Sequence, residues 1–205
     1  MNQTAAAPDS TISYPRTVLC EGKPIELDLL RAGDEAELLA FAQGLPEHDL
    51  LFIDRDISQP RVIRAWIRES VELGRLPSLM ARVAGGLVGC STLYCNELSW
   101  SSHVGEIRIL VARPVRGLGL GRLLIQACFA QALELGLEKL VARMTTDQRS
   151  AIAIFESLGF RAEALLAEQV RDRSGRKHDV VLLSHDVEAV GARLSALGAD
   201  EIGKS

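Results

Sequence analysis

The stretch VARPVRGLGLGRLLIQACF, residues 111–129, places three glycines at alternate positions between a predicted strand and a predicted helix. Glycine lets the backbone approach a ligand closely and adopt positive φ. A loop that leads into a helix also presents unpaired N–H groups beside the positive end of the helix dipole. Such a loop favours a phosphate group, although a tight strand-to-helix turn without a ligand has the same glycine pattern.

Two familiar phosphate-binding loops do not fit this stretch. A dinucleotide-binding G-x-G-x-x-G motif that starts at Gly117 requires glycine where Arg122 stands, and a P-loop requires lysine followed by serine or threonine. The pattern that remains is R-x-x-G-x-G, formed by Arg116, Gly119 and Gly121.

The composition indicates one folded domain with tails. The chain has 205 residues, of which 47% are hydrophobic and 24% are charged. The formal net charge of -4 argues against a nucleic-acid partner, because phosphate backbones need a basic surface. No segment has the pattern of a signal peptide or a membrane span, so the sequence predicts a cytoplasmic protein with no membrane partner.

Hydrophobic periodicity predicts the order strand, two helices, three strands, helix, strand, helix, two strands. We expect a flexible N-terminal arm over residues 1–20, one folded domain over residues 21–186, and a C-terminal tail over residues 187–205 that includes a short helix. No internal repeat is present.

A second motif follows the glycine loop. Residues 148–160, QRSAIAIFESLGF, resemble the N-x-x-A-x-x-L-Y-x-x-x-G-F helix of the GNAT superfamily of N-acetyltransferases, and the R-x-x-G-x-G loop resembles the coenzyme A pyrophosphate loop of the same family. Gln148 replaces the family's asparagine and Phe155 replaces its tyrosine. The two motifs occur in register with the predicted elements, and the resemblance covers roughly residues 23–186.

The resemblance implies an α+β fold of the GNAT type. This fold is a mixed α/β sandwich whose mostly antiparallel central sheet splays open between the fourth and fifth main strands and is flanked by four helices. It also implies that acetyl-CoA is the co-substrate. The contacts to acetyl-CoA implied by the resemblance come from the fourth main strand, the glycine loop and the second motif: Leu110, Val111, Arg116, Gly117, Leu118, Gly119, Leu120, Gly121, Arg122, Gln148, Ala151 and Phe155.

The implied roles of these residues differ. Backbone N–H groups of residues 117–122 bind the pyrophosphate, and Arg116 adds charge-assisted contacts. Backbone groups of Leu110 and Val111 bind the pantetheine amides and donate to the thioester oxygen. The amide side chain of Gln148 takes the place of the family's asparagine as a pantetheine contact.

The chemistry implied by the resemblance is acetyl transfer to a primary amine by direct attack on the thioester. An alkylamine is almost fully protonated at neutral pH, so a base must accept its proton. Glu106 is the candidate base, because some family members carry a catalytic glutamate in the same strand; a simple ion pair with Arg108 is the alternative. Phe155 has no proton to give to the leaving thiolate.

Other functions stay open at this point. A non-catalytic module of the same fold would bind acyl-CoA as a sensor or interaction domain, and a nucleotide-binding protein would use the glycine loop for another phosphate. If the chain is an enzyme, its acceptor is a small-molecule amine or a protein amine. Dimers are common in the family, so a homodimer is compatible with the resemblance.

The sequence predicts no metal site and no redox site. His178 and His185 lie seven positions apart in one predicted strand and face opposite sides of it. The four cysteines lie mostly in apolar runs, as reduced core thiols do. The acidic segment 47–56 favours a cationic acceptor and the basic turn 171–177 favours an acidic one, but both are also typical of ordinary solvated loops, so the acceptor's charge is not determined.

Overall fold

The computed structural model describes residues 13–187. Over these residues the chain forms eight strands and four α-helices. The strands are β1 (Arg16–Cys20), β2 (Lys23–Leu29), β3 (Ser78–Val83), β4 (Gly86–Tyr94), β5 (Val104–Val111), β6 (Lys139–Thr145), β7 (Arg161–Arg171) and β8 (Lys177–Asp186). The helices are α1 (Glu35–Gly44), α2 (Pro60–Ile67), α3 (Leu120–Glu134) and α4 (Arg149–Ser157).

The predicted order of elements is confirmed, with one strand added at the start. Residues 16–20 form β1, which pairs antiparallel with β2, so the arm predicted over residues 1–20 ends too late. Its polar composition concealed a strand that alternates half-buried and exposed positions at the edge of the sheet. The predicted C-terminal helix falls within residues 188–205, which lie outside the described part of the chain.

All eight strands belong to one sheet, in the order β1-β2-β3-β4-β5-β6-β8-β7. Every neighbouring pair is antiparallel except β5 and β6, which are parallel. The predicted mixed, mostly antiparallel sheet with four flanking helices is therefore confirmed.

The sheet separates two helical layers. Leu110 of β5 packs in a cluster with Leu38 of α1 and Ile63 of α2. Ile107 of the same strand packs on the opposite face with Ile125 of α3. Because successive side chains of a strand point to opposite faces, the apolar run in β5 serves both layers.

Strands β5 and β6 pair over only three positions, Val104 with Lys139, Gly105 with Leu140 and Glu106 with Val141. At Gly105 a Cβ atom would lie 2.7 Å from a methyl carbon of Leu137, so the closest part of this pair requires glycine. Beyond Glu106 the strands diverge, which confirms the predicted opening in the sheet. Across residues 13–187, every helix is too short or too polar to cross a lipid bilayer.

Candidate functional site

A groove of about 910 Å³ occupies the opening between β5 and β6. The end of β5, the glycine loop, the start of α4 and the turn Glu47–Leu50 all contribute to its wall. We call this space the donor groove. Of the residues predicted to bind acetyl-CoA, all line the donor groove except Leu118 and Leu120. Leu120 instead packs in the core between α3 and the first strands.

The glycine loop presents an open backbone to the donor groove. Gly117 and Gly119 have φ of +79° and +78°, the left-handed conformation that favours glycine. Gly119 is the N-cap of α3, and no side chain caps the helix. At Gly121, where φ is not positive, a Cβ atom would meet nothing within 4 Å. Packing within the protein therefore does not require glycine at this position, and the free space lies beside the first-turn N–H groups.

The backbone of β5 faces the donor groove at alternate residues. The Ala112 N–H donates to the Val88 carbonyl of β4 at 2.8 Å, so the even-numbered residues of β5 direct their polar backbone groups toward β4. The odd-numbered residues Ile107, Ile109 and Val111 direct theirs toward the opening. The backbone role expected for Leu110 is therefore corrected: its N–H and C=O belong to the ladder with β4, and its side chain packs in the cluster with α1 and α2.

Arg116 does not extend along the glycine loop in this structure. Its guanidinium donates to the Val111 carbonyl from Nε at 3.1 Å and from Nη2 at 3.0 Å. Nη2 also donates to Asp49 Oδ2 at 2.6 Å. Arg116 thus covers a backbone acceptor on the free edge of β5 and connects it to the turn Glu47–Leu50.

The second motif lies on the opposite side of the groove. Gln148 is the N-cap residue of α4, and within residues 13–187 its side-chain amide has no hydrogen-bond partner. Phe155 is buried and packs edge to face against Phe160, with ring centroids 4.9 Å apart. Arg122 donates to the Ser157 hydroxyl at 2.7 Å and so links α3 to α4.

Glu106 lies at the point where β5 and β6 part, but it does not line the donor groove. Its side chain is only 10% exposed. Oε1 accepts a hydrogen bond from Arg108 Nε at 2.9 Å, and Oε2 lies 3.7 Å from Arg143 Nε. The ion pair with Arg108 that the sequence left open as an alternative is therefore present.

A second cavity, of about 100 Å³, lies on the Glu106 face of the sheet. Its wall includes Trp66 of α2, Tyr94 of β4 and Asp54, and we call it the side cavity. Arg108 donates to Asp54 at 2.7 Å and stacks over the Tyr94 ring at 5.3 Å. Leu110 lines both the side cavity and the donor groove, so the two spaces adjoin at this residue.

The acidic segment 47–56 and the basic turn 171–177 form hydrogen bonds and ion pairs with each other. The Arg173 N–H donates to Glu47 at 2.6 Å, and its guanidinium donates to Asp56 at 3.2 Å. Arg173 of the basic turn therefore pairs with Glu47 and Asp56 of the acidic segment, whereas Asp54 pairs with Arg108. Neither segment alone gives the charge of an acceptor.

Sequence reasoning missed His48, which follows Glu47 in the same turn. His48 Nε2 shares a hydrogen bond with Asp147 Oδ1 at 3.0 Å and lies 3.3 Å from the Thr145 hydroxyl. Burial raises the pKa of Asp147, but hydrogen bonds from Thr145 and the charge of His48 outweigh it and leave the pKa below its usual value. No local spacing signals this contact, because about a hundred residues separate His48 from Asp147.

Comparison with known families identifies the family to which the chain belongs. Residues 47–160 match the sequence profile of the acetyltransferase (GNAT) family. The chain belongs to the GNAT acetyltransferase family. Enzymes of this family take their acetyl group from acetyl-CoA, so the protein is an acetyl-CoA-dependent N-acetyltransferase. Comparison with curated protein sequences finds no match.

Solved structures share the fold of this GNAT enzyme. An acetyltransferase of the GNAT family from Streptococcus pneumoniae is 19% identical with a TM-score of 0.69, over 79% of this chain and 99% of the other. A ribosomal-protein-alanine N-acetyltransferase from Brucella melitensis is 23% identical with a TM-score of 0.66, over 78% and 98%. Spermidine N-acetyltransferase from Vibrio cholerae, in complex with CoA and spermine, is 18% identical with a TM-score of 0.67, over 80% and 96%.

Proposed function

We propose that this GNAT enzyme acetylates a primary amine by direct attack of the neutral amine on the thioester of acetyl-CoA. The observation that carries the proposal is that two spaces adjoin at Leu110, the donor groove on one side and the side cavity on the other. A donor and an acceptor that approach each other from these spaces need no covalent enzyme intermediate.

The donor groove has the chemistry that acetyl-CoA requires. First-turn N–H groups of α3 and the glycine backbone offer donors to a pyrophosphate in a space that a Cβ atom at Gly121 would enter. The free edge of β5 at Ile109 and Val111 offers backbone groups to the pantetheine amides, and the Gln148 amide offers another contact. When bound, acetyl-CoA supplies the activated acyl group.

The proposed roles of two residues differ from those expected from the sequence. Arg116 occupies the Val111 carbonyl, so it must release that acceptor before the carbonyl binds a pantetheine amide. Leu110 directs its N–H toward β4, so the donor to the acyl oxygen is assigned to Ile109 or Val111 instead. A backbone N–H held rigidly in a strand is well suited to stabilise developing negative charge.

The side cavity is the proposed acceptor site. Asp54 places a carboxylate in its wall, Glu106 lies on the same side of the sheet outside the wall, and Trp66 and Tyr94 give the cavity aromatic walls. Such a lining binds the ammonium group and apolar body of a small amine. Related folds act on both kinds of acceptor, as the names spermidine N-acetyltransferase and ribosomal-protein-alanine N-acetyltransferase state; the small cavity favours a small molecule here.

Glu106 is the proposed general base. It is buried beside the junction of the two spaces, and its Oε1 is held in place by Arg108. The amine's proton reaches it directly or through one water molecule. Phe155 lacks a hydroxyl, so the thiolate leaves without a proton from this position, and the lost general acid costs on the order of 10²-fold in rate.

The test compares two glycine variants that add the same side chain. Gly121→Glu introduces bulk and negative charge into the donor groove, whereas Gly33→Glu does so on the surface; both positions have ordinary φ and open space around a Cβ atom. We expect wild type and Gly33→Glu to bind acetyl-CoA in calorimetric titrations and Gly121→Glu to lose binding with an unchanged melting temperature. Equal binding by all three would refute the assignment of the groove.

Turnover is measured in the same samples by thiol release against a panel of small amines and N-terminal peptides. Release with small amines supports the proposed acceptor class. Release with peptides alone would contradict the side cavity as the acceptor site while leaving the donor groove intact.

A further inference from the structure

Three side chains with metal-binding atoms meet at the rim of the donor groove. His48 of the turn Glu47–Leu50, Asp147 of the β6–α4 loop and His178 of β8 place one ligand atom each within 4.8 Å of one another. Among residues 13–187, no other set of three such side chains is so close together. The three residues come from segments that are far apart in the sequence.

The geometry is close to that of a metal site. His48 Nε2 and Asp147 Oδ1 are 3.0 Å apart, near the distance of about 3.3 Å between two ligands of a tetrahedral zinc ion. The rings of His48 and His178 lie edge to face with centroids 5.4 Å apart. The side chain of His48 is only partly buried, so its ring is not locked in place by surrounding core packing.

The donor set selects the class of metal. Two imidazoles and one carboxylate suit zinc and neighbouring transition metals, whereas calcium and magnesium prefer oxygen ligands alone. His178 Nε2 also bonds to Asp172 Oδ2 at 2.9 Å. A carboxylate on one ring nitrogen orients a histidine whose other nitrogen binds metal.

A hydrogen-bonded pair without metal explains only part of this cluster. It accounts for His48 and Asp147, and Asp172 accounts for Nε2 of His178, but within residues 13–187 the Nδ1 atom of His178 has no hydrogen-bond partner.

We propose that His48, Asp147 and His178 form a binding site for a divalent transition metal of the zinc type, with water in the remaining coordination positions. The metal would fasten the turn Glu47–Leu50 to the β6–α4 loop and to β8. These elements surround the donor groove, but the metal has no place in the acetyl-transfer chemistry proposed above. The metal-site proposal and the acetyl-transfer proposal can therefore be tested independently of each other.

The test titrates Zn²⁺ into protein freed of metal by chelation, with binding heat and melting temperature as readouts. Wild type is expected to bind one equivalent and to melt at a higher temperature with zinc. His48→Gln changes a partly exposed residue and is expected to lose this binding while it folds normally. Asp172→Asn, which leaves all three ligands in place, is expected to weaken binding about 10- to 100-fold.

His103→Gln is the matched control, because His103 is an exposed histidine remote from the cluster. Co²⁺ substitution adds a spectroscopic check: a visible d–d spectrum without a thiolate charge-transfer band excludes a cysteine ligand. Absence of Zn²⁺ binding by wild type, or equal binding by wild type and His48→Gln, would overturn the proposal. A loss of binding in His103→Gln as large as that in His48→Gln would overturn it as well.

Discussion

The donor groove and the side cavity lie on either side of β5 and present different kinds of chemical group. The donor groove uses backbone: the free edge of β5, two left-handed glycines and the open first turn of α3. The side cavity uses side chains, and its residues Asp54 and Arg108 form an ion pair, with Arg108 also paired to Glu106 outside the wall. The donor groove therefore has a recognisable motif in the sequence, whereas the side cavity has none.

A site built from backbone requires particular residues in consecutive order, because left-handed φ and close approach both favour glycine. A site built from side chains needs only that distant segments converge, and many residue types satisfy that need. The same contrast predicts how the two spaces respond to substitution. Changes to the donor groove should alter affinity for acetyl-CoA, and changes on the side-cavity face should alter turnover with the amine.

The largest expected effect is on turnover. Glu106→Gln keeps the size of the side chain and a hydrogen bond to Arg108 but removes the base, so we expect kcat to fall about 10²- to 10⁴-fold. Affinity for acetyl-CoA should not change, because Glu106 does not line the donor groove. Steady-state kinetics and calorimetry measure the two quantities.

Glu163→Gln is the control for this substitution, since Glu163 pairs with Lys139 away from both spaces. A fall in kcat of less than tenfold in Glu106→Gln would show that Glu106 is only the structural partner of Arg108. An equal loss of acetyl-CoA affinity would show that the two spaces are not separable.

The next largest effect is expected on the affinity for acetyl-CoA alone. Arg116→Ala removes the charge proposed to bind pyrophosphate, and a hydrogen bond to a charged group contributes roughly 1.5–3 kcal/mol, which corresponds to about a 10- to 100-fold loss of affinity. The amine's KM should stay as in wild type. Unchanged affinity in calorimetric titration would mean that Arg116 serves only to connect Val111 to Asp49.

A third prediction concerns the pKa values of two buried cysteines, one beside each space. Cys90 lines the side cavity and Cys128 packs in the core under the donor groove. Burial raises the pKa of each thiol from 9.0 to about 12. The folded state therefore holds these protons more tightly than the unfolded state, and the stability they contribute is complete below pH 9 and lost as the pH rises toward about 12.

The expected slope is about 1.4 kcal/mol of unfolding free energy per pH unit for each thiol in this range. Denaturant unfolding at pH 7.5 and pH 10 measures it, and Cys90→Ala together with Cys128→Ala should flatten the slope relative to wild type. Comparison between variants removes the contributions of lysine and tyrosine. An equal slope in both proteins would contradict the dry surroundings that the structure gives these thiols.

The smallest effect runs in the opposite direction. Asp49→Asn frees Arg116 from an ion pair that competes with the donor, so acetyl-CoA should bind more tightly, by up to about fivefold, the range of a surface ion pair. Glu35→Gln breaks a comparable surface pair with Arg64 and serves as the control. Weaker binding in Asp49→Asn would mean that Asp49 positions Arg116 for the donor instead of holding it away.

Much of the donor groove could be predicted from the sequence. Residues 111–129 and 148–160 identified the family and the opening in the sheet, and most of the residues they named line the groove. The exceptions have physical reasons. Leu120 faces the core because it begins a helix whose next turn is buried, and Leu110 turns its backbone toward β4 because of a register that a single strand does not reveal.

Local patterns, with periods of 2 and 3.6 residues, determined the element order, and the two motifs at residues 111–129 and 148–160 carried the resemblance from which the family and its acetyl donor followed. Only the tertiary structure decided which partners long side chains take. It turned Arg116 back to Val111, paired Arg173 with Glu47, and placed His48 against Asp147. Contacts of this kind depend on where segments far apart in the chain converge, and no short stretch of sequence records that convergence.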